Sequence, residues 1–166
     1  MMRYNLRTGS LYDRGNYTAI MSPLVPRSAA TEPKLETDPE LAEVLEQLSA
    51  REPIFHRAEF GVSREDFERV TVEEFWEIGA SGRRYSRNFV LDELEKRYAA
   101  DHEDVWRTSE FHCRRLAEDV FLLTYTLVQD GTRVTRRSTI WQRTAEDWKI
   151  VFHQGTVVTD GYDDPH

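Results

Sequence analysis

A single cysteine, Cys113, stands in a chain of 166 residues. An internal disulfide is therefore excluded, and no thiolate set exists to hold a metal. Its neighbours alternate in the manner of a strand, which predicts a buried, inert thiol rather than a nucleophile. No apolar run approaches the roughly 20 residues a bilayer-spanning helix needs, and the first residues lack the apolar core of an export signal. The expectation is a cytoplasmic protein with no membrane partner. Positive charge is also scarce: 22 Lys and Arg face 30 Asp and Glu, a formal charge of −8. A surface of that sign repels phosphate backbones, so no nucleic-acid partner is expected. The pairs Arg83-Arg84, Arg114-Arg115 and Arg136-Arg137 are local exceptions, read as solvated strand edges, with a local anion site as the alternative. The glycines of Gly79-Ala80-Ser81-Gly82 lack phosphate-loop spacing, and no nucleophile elbow or Cys–His arrangement occurs. Histidine is sparse as well: His102 and His166 lie outside the strands, and no His/Asp/Glu spacing forms a ligand pattern. Neither a metal nor a cofactor is expected.

What is present falls into three parts. Residues 1–36 are interrupted by Gly9, Gly15, Pro23, Pro26 and Pro33 and sustain no period, so they read as a poorly ordered tail. Residues 37–158 form one domain, and 159–166 a short C-terminal tail. The domain opens on "TDPELAEVLEQLSAREPIF". Thr37 or Asp38 caps, Pro39 suits the first turn, and Leu41, Val44, Leu45 and Leu48 share one helical face until Pro53 ends it. "SREDFERV" carries a Ser63…Asp66 capping pattern and predicts a short second helix. "VEEFWEIGASGRRY" predicts a strand, a Gly-rich turn and a return strand. "SRNFVLDELEKRY" predicts a third helix capped by Ser86, with Val90, Leu91, Leu94 and Tyr98 inward. Four β-rich runs come next, joined by hairpin-sized turns of which Asp130-Gly131 is the strongest signal. Helices followed by a meander indicate an α+β class, with three helices packed on a strongly curved antiparallel β-sheet.

That order resembles the nuclear transport factor 2-like superfamily, in particular its small bacterial domains of unknown function related to ketosteroid isomerase-like and polyketide cyclase-like proteins. The residues that carry the resemblance are Glu74–Tyr85, Val120–Val128 ("VFLLTYTLV") and Arg136–Thr156 ("RRSTIWQRTAEDWKIVFHQGT"). It spans about residues 38–158. What it implies is a cone-shaped domain with a pocket at one end and a homodimer formed through the sheet. The superfamily holds isomerases, cyclases, dehydratases and proteins of no known activity, so function has to be argued from the site. Isomerase-like chemistry needs an aspartate base and an acidic oxyanion donor inside the cone. None of the four long strand cores carries an aspartate.

The turn lengths set an expected register. A two-residue turn at Asp130-Gly131 pairs Tyr125 with Arg136. Four-residue turns at "LAED" and "TAED" pair His112 with Leu123, Ser138 with His153 and Arg137 with Gln154. One face then collects His112, Tyr125, Arg136, Ser138 and His153. The other collects Thr124, Arg137, Thr139, Trp141 and Gln154 among apolar neighbours. A bulge at either longer turn exchanges the assignments beyond it. Two functional readings fit these faces. In the first, a pocket lined by Thr124, Arg137, Thr139, Trp141 and Gln154, with Trp76 and Tyr85 at its mouth, binds a small apolar or amphipathic molecule without turnover. In the second, an isomerase, cyclase or dehydratase uses His153 or His112 as general base, with Tyr125 or Arg137 stabilising an enolate-like charge. Glu77 reads as a solvated or arginine-paired acid, with a buried acid of raised pKa as the alternative.

Overall fold

A computed structural model describes residues 33–100 and 105–159. The chain divides into two units, Met1–Pro33 and Lys34–His166, and every helix and strand described belongs to the second. The expected tail at 1–36 falls almost wholly outside the described residues, as does nearly all of 159–166.

The helices begin where the capping residues place them. A 3-10 turn at Pro39–Leu41 leads into α1 (Ala42–Ser49), and the Asp38 carboxylate accepts the Glu40 N–H at 2.9 Å. Thr37 has a different use: its hydroxyl accepts the Cys113 backbone N–H at 3.0 Å, tying the start of the helix to the sheet. Two further 3-10 turns, Ile54–His56 and Ala58–Phe60, connect to α2 (Arg64–Arg69), whose Ser63 and Asp66 form a reciprocal capping box. α3 (Arg87–Ala99) starts from Ser86, as its spacing predicts.

The strands are β1 (Thr71–Ile78), β2 (Arg84–Ser86), β3 (Trp106–Ala117), β4 (Val120–Gln129), β5 (Arg133–Arg143) and β6 (Trp148–Val157). They form one sheet in the order β2-β1-β6-β5-β4-β3. Here the structure corrects one expectation. β1 pairs with β6 in parallel, so the sheet is mixed rather than wholly antiparallel. The chain between these two strands, α3 and the meander included, provides the long crossover that parallel pairing needs. Irregularities interrupt the ladders between Ser109 and His112, between Arg115 and Ala117, between Ile140 and Trp141, and along β1. Each bulge bends its strand, and together they curve the sheet around the helices. Leu48 of α1, Leu91 and Leu94 of α3, and Phe75, Leu123, Trp141 and Ile150 of the sheet fill the space between. No described helix is long and apolar enough to cross a membrane.

The same irregularities correct the expected register. Asp130 and Gly131 both take positive φ, but the ladder resumes only at Arg133, opposite Gln129. With Thr132 added to the loop, Tyr125 pairs with Arg137 and Thr124 with Ser138. The "TAED" turn pairs Arg143 with Trp148 as expected, yet a bulge at Val151 moves His153 opposite Thr139 and Gln154 opposite Ser138. On β3, Glu118-Asp119 is a two-residue turn with a bulge just beyond it, so His112 faces Thr124. Each slip is one residue, and each sends a side chain to the opposite face.

Candidate functional site

The inward row holds Tyr125, Arg137, Thr139, Trp141 and His153, and the row facing away holds His112, Thr124, Ser138 and Gln154. Trp76 also lies on the far face, packed on Phe152 at 4.7 Å between ring centroids. The structure thus brings together His153, Tyr125, Arg137, Thr139 and Tyr85 from the sequence-derived set. It separates His112, Trp76, Thr124 and Gln154 from them. Trp141 is fully buried and lies beneath the site as core.

A cavity of about 220 Å³ opens between the end of α1, α3 and the inward face of β1, β5 and β6. That is room for roughly seven water molecules at about 30 Å³ each. Its helix side is apolar at Ile54, Phe55, Phe89, Val90 and Leu94, with Tyr85 and Phe89 stacked at 4.9 Å, and carries the polar groups His56, Glu93 and Arg97 beside them. Its sheet side is polar: Glu77, Tyr125, Gln129, Arg133, Arg137 and His153. Gly79 lets Tyr85 close over the backbone, since a Cβ there would stand 2.7 Å from the Tyr85 ring. Gly155 does the same for Arg137, whose guanidinium lies 3.2 Å from the position a Cβ would take.

The polar wall is organised by a residue that sequence reasoning missed, Glu52. It is 1% exposed and sits just past α1. Its Oε2 accepts the Tyr125 hydroxyl at 3.0 Å and the Ile54 N–H at 3.0 Å, and its Oε1 accepts the Thr139 hydroxyl at 2.6 Å. Thr139 Oγ1 lies 3.0 Å from His153 Nδ1, and His153 Nε2 lies 3.2 Å from Arg137 Nη1. A signal for Glu52 was available in the sequence. The apolar stripe Leu41, Val44, Leu45, Leu48, carried one further step of four, lands on it. A carboxylate on a buried stripe requires partners.

Proton positions follow from the donors. Arg137 only donates, so His153 Nε2 accepts and its proton resides on Nδ1. Nδ1–H then donates to Thr139, whose own proton goes to Glu52. Every hydrogen in the chain points toward Glu52, so a protonated carboxyl would add a donor to a set of groups already donating to it. Burial pushes the Glu52 carboxyl up, while bonds from Thr139, Ile54 and Tyr125 pull it back, with a weaker pull from the Trp141 indole, whose N–H closes no full hydrogen bond. The hydrogen-bond directions favour the charged form. Burial, then the charges of Arg137 and His56, hold the His153 imidazole at about 3. Burial and the Glu52 charge push the Tyr125 phenol well above its ordinary range, so it remains a donor. Burial pulls the Arg137 guanidinium down.

This arrangement removes His153 from the role of general base. A neutral imidazole with both nitrogens engaged and a pKa near 3 carries little driving force for taking a proton at neutral pH. His112, on the opposite face, cannot substitute for it. Glu77, His56 and Glu93 also face the cavity, and of these Glu77 is raised by burial against the opposing charges of Arg137 and Arg97. No His/Cys/Asp/Glu group among the described residues is arranged to hold a metal ion.

No protein-family model and no curated protein matches the chain. Solved structures do. A candidate dehydratase of the NTF2-like family from Streptomyces avermitilis superposes with a TM-score of 0.57 at 15% identity, over 71% of this chain and 98% of that one. An uncharacterised protein with a cystatin-like fold from Caulobacter vibrioides gives 0.56 at 14%, over 70% and 91%. An NTF-2-like protein of unknown function from Silicibacter pomeroyi gives 0.52 at 18%, over 70% and 97%. Likeness at this identity establishes the fold: the described body has the nuclear transport factor 2-like α+β architecture.

Proposed function

We propose that this NTF2-like fold serves as a binding domain for a small amphipathic molecule, held in the cavity without turnover by the buried histidine. The observation that carries the reading is a cavity that sets an apolar patch of Ile54, Phe55, Val90 and Leu94 against a polar sheet side whose buried groups are already hydrogen-bonded to one another. A wall satisfied before any ligand arrives is preorganised, which lowers the cost of binding. At about 220 Å³ the cavity suits a fragment-sized ligand rather than a drug-sized one. The test is ligand-observed NMR with a fragment set, run beside Ala80→Trp, which places a large ring at the cavity wall. Fragments that bind the native chain and lose binding to the variant support the reading. Equal binding by both refutes it.

Turnover of the dehydratase or isomerase kind is the second reading, with Glu77 rather than a histidine as base. It is favoured by one observation, a carboxyl raised by burial and facing the cavity. A Glu77→Gln variant that keeps its melting temperature and loses turnover of a carbonyl substrate supports it; retained turnover ends it. Homodimerisation through the outward sheet face belongs to the same proposal. Trp76, 43% exposed beside Phe152, supports it, and sedimentation velocity of the native chain against Trp76→Glu tests it.

A further inference from the structure

Two guanidinium groups share one wall of the cavity, and among the described residues neither has a carboxylate within ion-pair distance. Arg137 donates Nε to Thr135 Oγ1 at 2.9 Å, Nη1 to His153 Nε2 at 3.2 Å and Nη2 to Gln129 Oε1 at 3.4 Å. All three acceptors are neutral. Arg133 donates Nη1 to the same Gln129 oxygen at 2.9 Å. Some arginines of the domain are matched to carboxylates, Arg51 to Asp147, Arg57 to Glu59, Arg64 to Asp92 and Glu95, Arg69 to Asp66, while Arg87 and Arg97 donate to neutral oxygens. Glu77 influences Arg137 through its charge but makes no contact with it.

Buried charges are ordinarily paired, and a guanidinium gains most from a carboxylate that accepts two bonds at once. Arg137 is drawn into the wall by the space at Gly155 and held there by neutral groups. Arg133 stands beside it closely enough for its charge to act on Arg137. Two like charges converging on a single amide oxygen form an arrangement that one anion would relieve. The anion's own charge is limited by Glu77 and Glu93, which line the same cavity and repel a second negative group, with Arg97 as a further cation there. Across the cavity, Phe55, Val90 and Leu94 offer apolar surface, with Glu93 and Arg97 of α3 beside them.

We propose that the cavity takes a small monocarboxylic acid, with its carboxylate between Arg133 and Arg137 and its short aliphatic or aromatic tail on Phe55, Val90 and Leu94. This rests on the binding reading above and names the ligand class. Glu77 and Glu93 disfavour dianions and phosphates, and Arg133 and Arg137 disfavour a cation at the same wall. Arg133 is the specificity residue: it stands at the exposed start of β5, takes no part in the Glu52 chain, and lines the cavity.

The experiment is calorimetric titration of the full chain with four probes, benzoate, hexanoate, benzamide and hexanamide. It is repeated on Arg133→Gln, Arg133→Lys and Ala80→Trp. The expected result is that each acid binds at least about tenfold more tightly than its amide, as charge-assisted bonds exceed neutral ones. Arg133→Gln should erase most of that preference at an unchanged melting temperature, and Arg133→Lys should restore part of it. Amides binding the native chain as tightly as the acids would overturn the carboxylate assignment while leaving the binding reading standing. So would an acid preference that survives Arg133→Gln intact. No binding by any of the four probes, with native chain and Ala80→Trp indistinguishable, would overturn both.

Discussion

Acid should weaken this fold through one side chain, and the size of the effect can be worked out. His153 is neutral in the folded domain, held at about 3 by burial first, then by Arg137 of β5 and His56 of the Ile54–His56 turn. In the unfolded chain it titrates near its ordinary value of about 6.5. A folded-state pKa below the unfolded one means the unfolded chain binds the extra proton. The histidine therefore costs no stability above a pH of about 6.5 and costs progressively more as pH falls toward about 3. At pH 5 the unfolded state gains about 2 kcal/mol from protonation that the native imidazole cannot match. For a domain of this size that is a fall of roughly 4–8 °C in Tm. Glu52 and Glu77 work in the opposite direction, since burial raises both carboxyls and their protonation on acidification favours the fold. The measurement must therefore isolate the histidine. Urea unfolding of the native chain and of His153→Gln, at steps from pH 8 to pH 5, does so, because the two carboxyls are common to both. His153→Gln should be less stable at pH 8, by about 1–3 kcal/mol for the disturbed buried hydrogen bonds. The gap should then close by about 2 kcal/mol at pH 5, as only the native chain carries the cost of an imidazole it cannot protonate. Parallel pH profiles would refute the reasoning: the imidazole would then be accepting its proton in place, and the proton order from Arg137 to Glu52 would be wrong.

Other perturbations probe the same wall and its supports. Thr139→Val keeps the volume but leaves Glu52 Oε1 and His153 Nδ1 without their shared partner, so denaturant unfolding should show a loss of about 2–4 kcal/mol. Tyr125→Phe removes one of the bonds to Glu52 and should cost about 1–3 kcal/mol by the same measurement. Gly155→Ala sets a methyl 3.2 Å from the Arg137 guanidinium, and thermal unfolding should register roughly 1–3 kcal/mol of overpacking. Ser63→Ala, far from the cavity, should cost about 1 kcal/mol through the lost cap and leave ligand titrations unchanged.

The elements of this fold were legible in the sequence because each is written locally. Ser63 with Asp66, Ser86 before its helix, and the Leu41–Leu48 stripe need no distant information. The pairing was not legible, because three one-residue irregularities lie where composition gives no mark: Thr132 in a turn that reads as two residues, Val151 inside an apolar run, and Leu116 before a turn that reads as four. Each exchanges faces, which is why Tyr125 and His153 arrived in the cavity together while His112 did not. Glu52 was visible in principle as the next step of a buried stripe. Pro53 directed the reading toward the end of the helix instead, and the partners that make a buried carboxylate tolerable lie 73 and 87 residues away. Arg137 and Thr139 were placed on one face together, as the structure has them, and their neighbours were assigned by a count that was off by one.

The bulge at Val151 has a consequence for how such a site can change over time. Ile150 and His153 are three positions apart and both point inward only because the ladder to β5 skips one residue between them. The strand is thus read in a frame, and the frame changes once, between the core and the cavity. Substitutions at Val151 leave the frame untouched. Lengthening the strand by one residue between Val151 and His153 would shift it, exchanging the imidazole for whatever currently faces outward while the hydrophobic core beneath stayed in register. A lineage carrying this architecture can therefore exchange what β6 presents to the pocket by a single change in length, with its packing undisturbed.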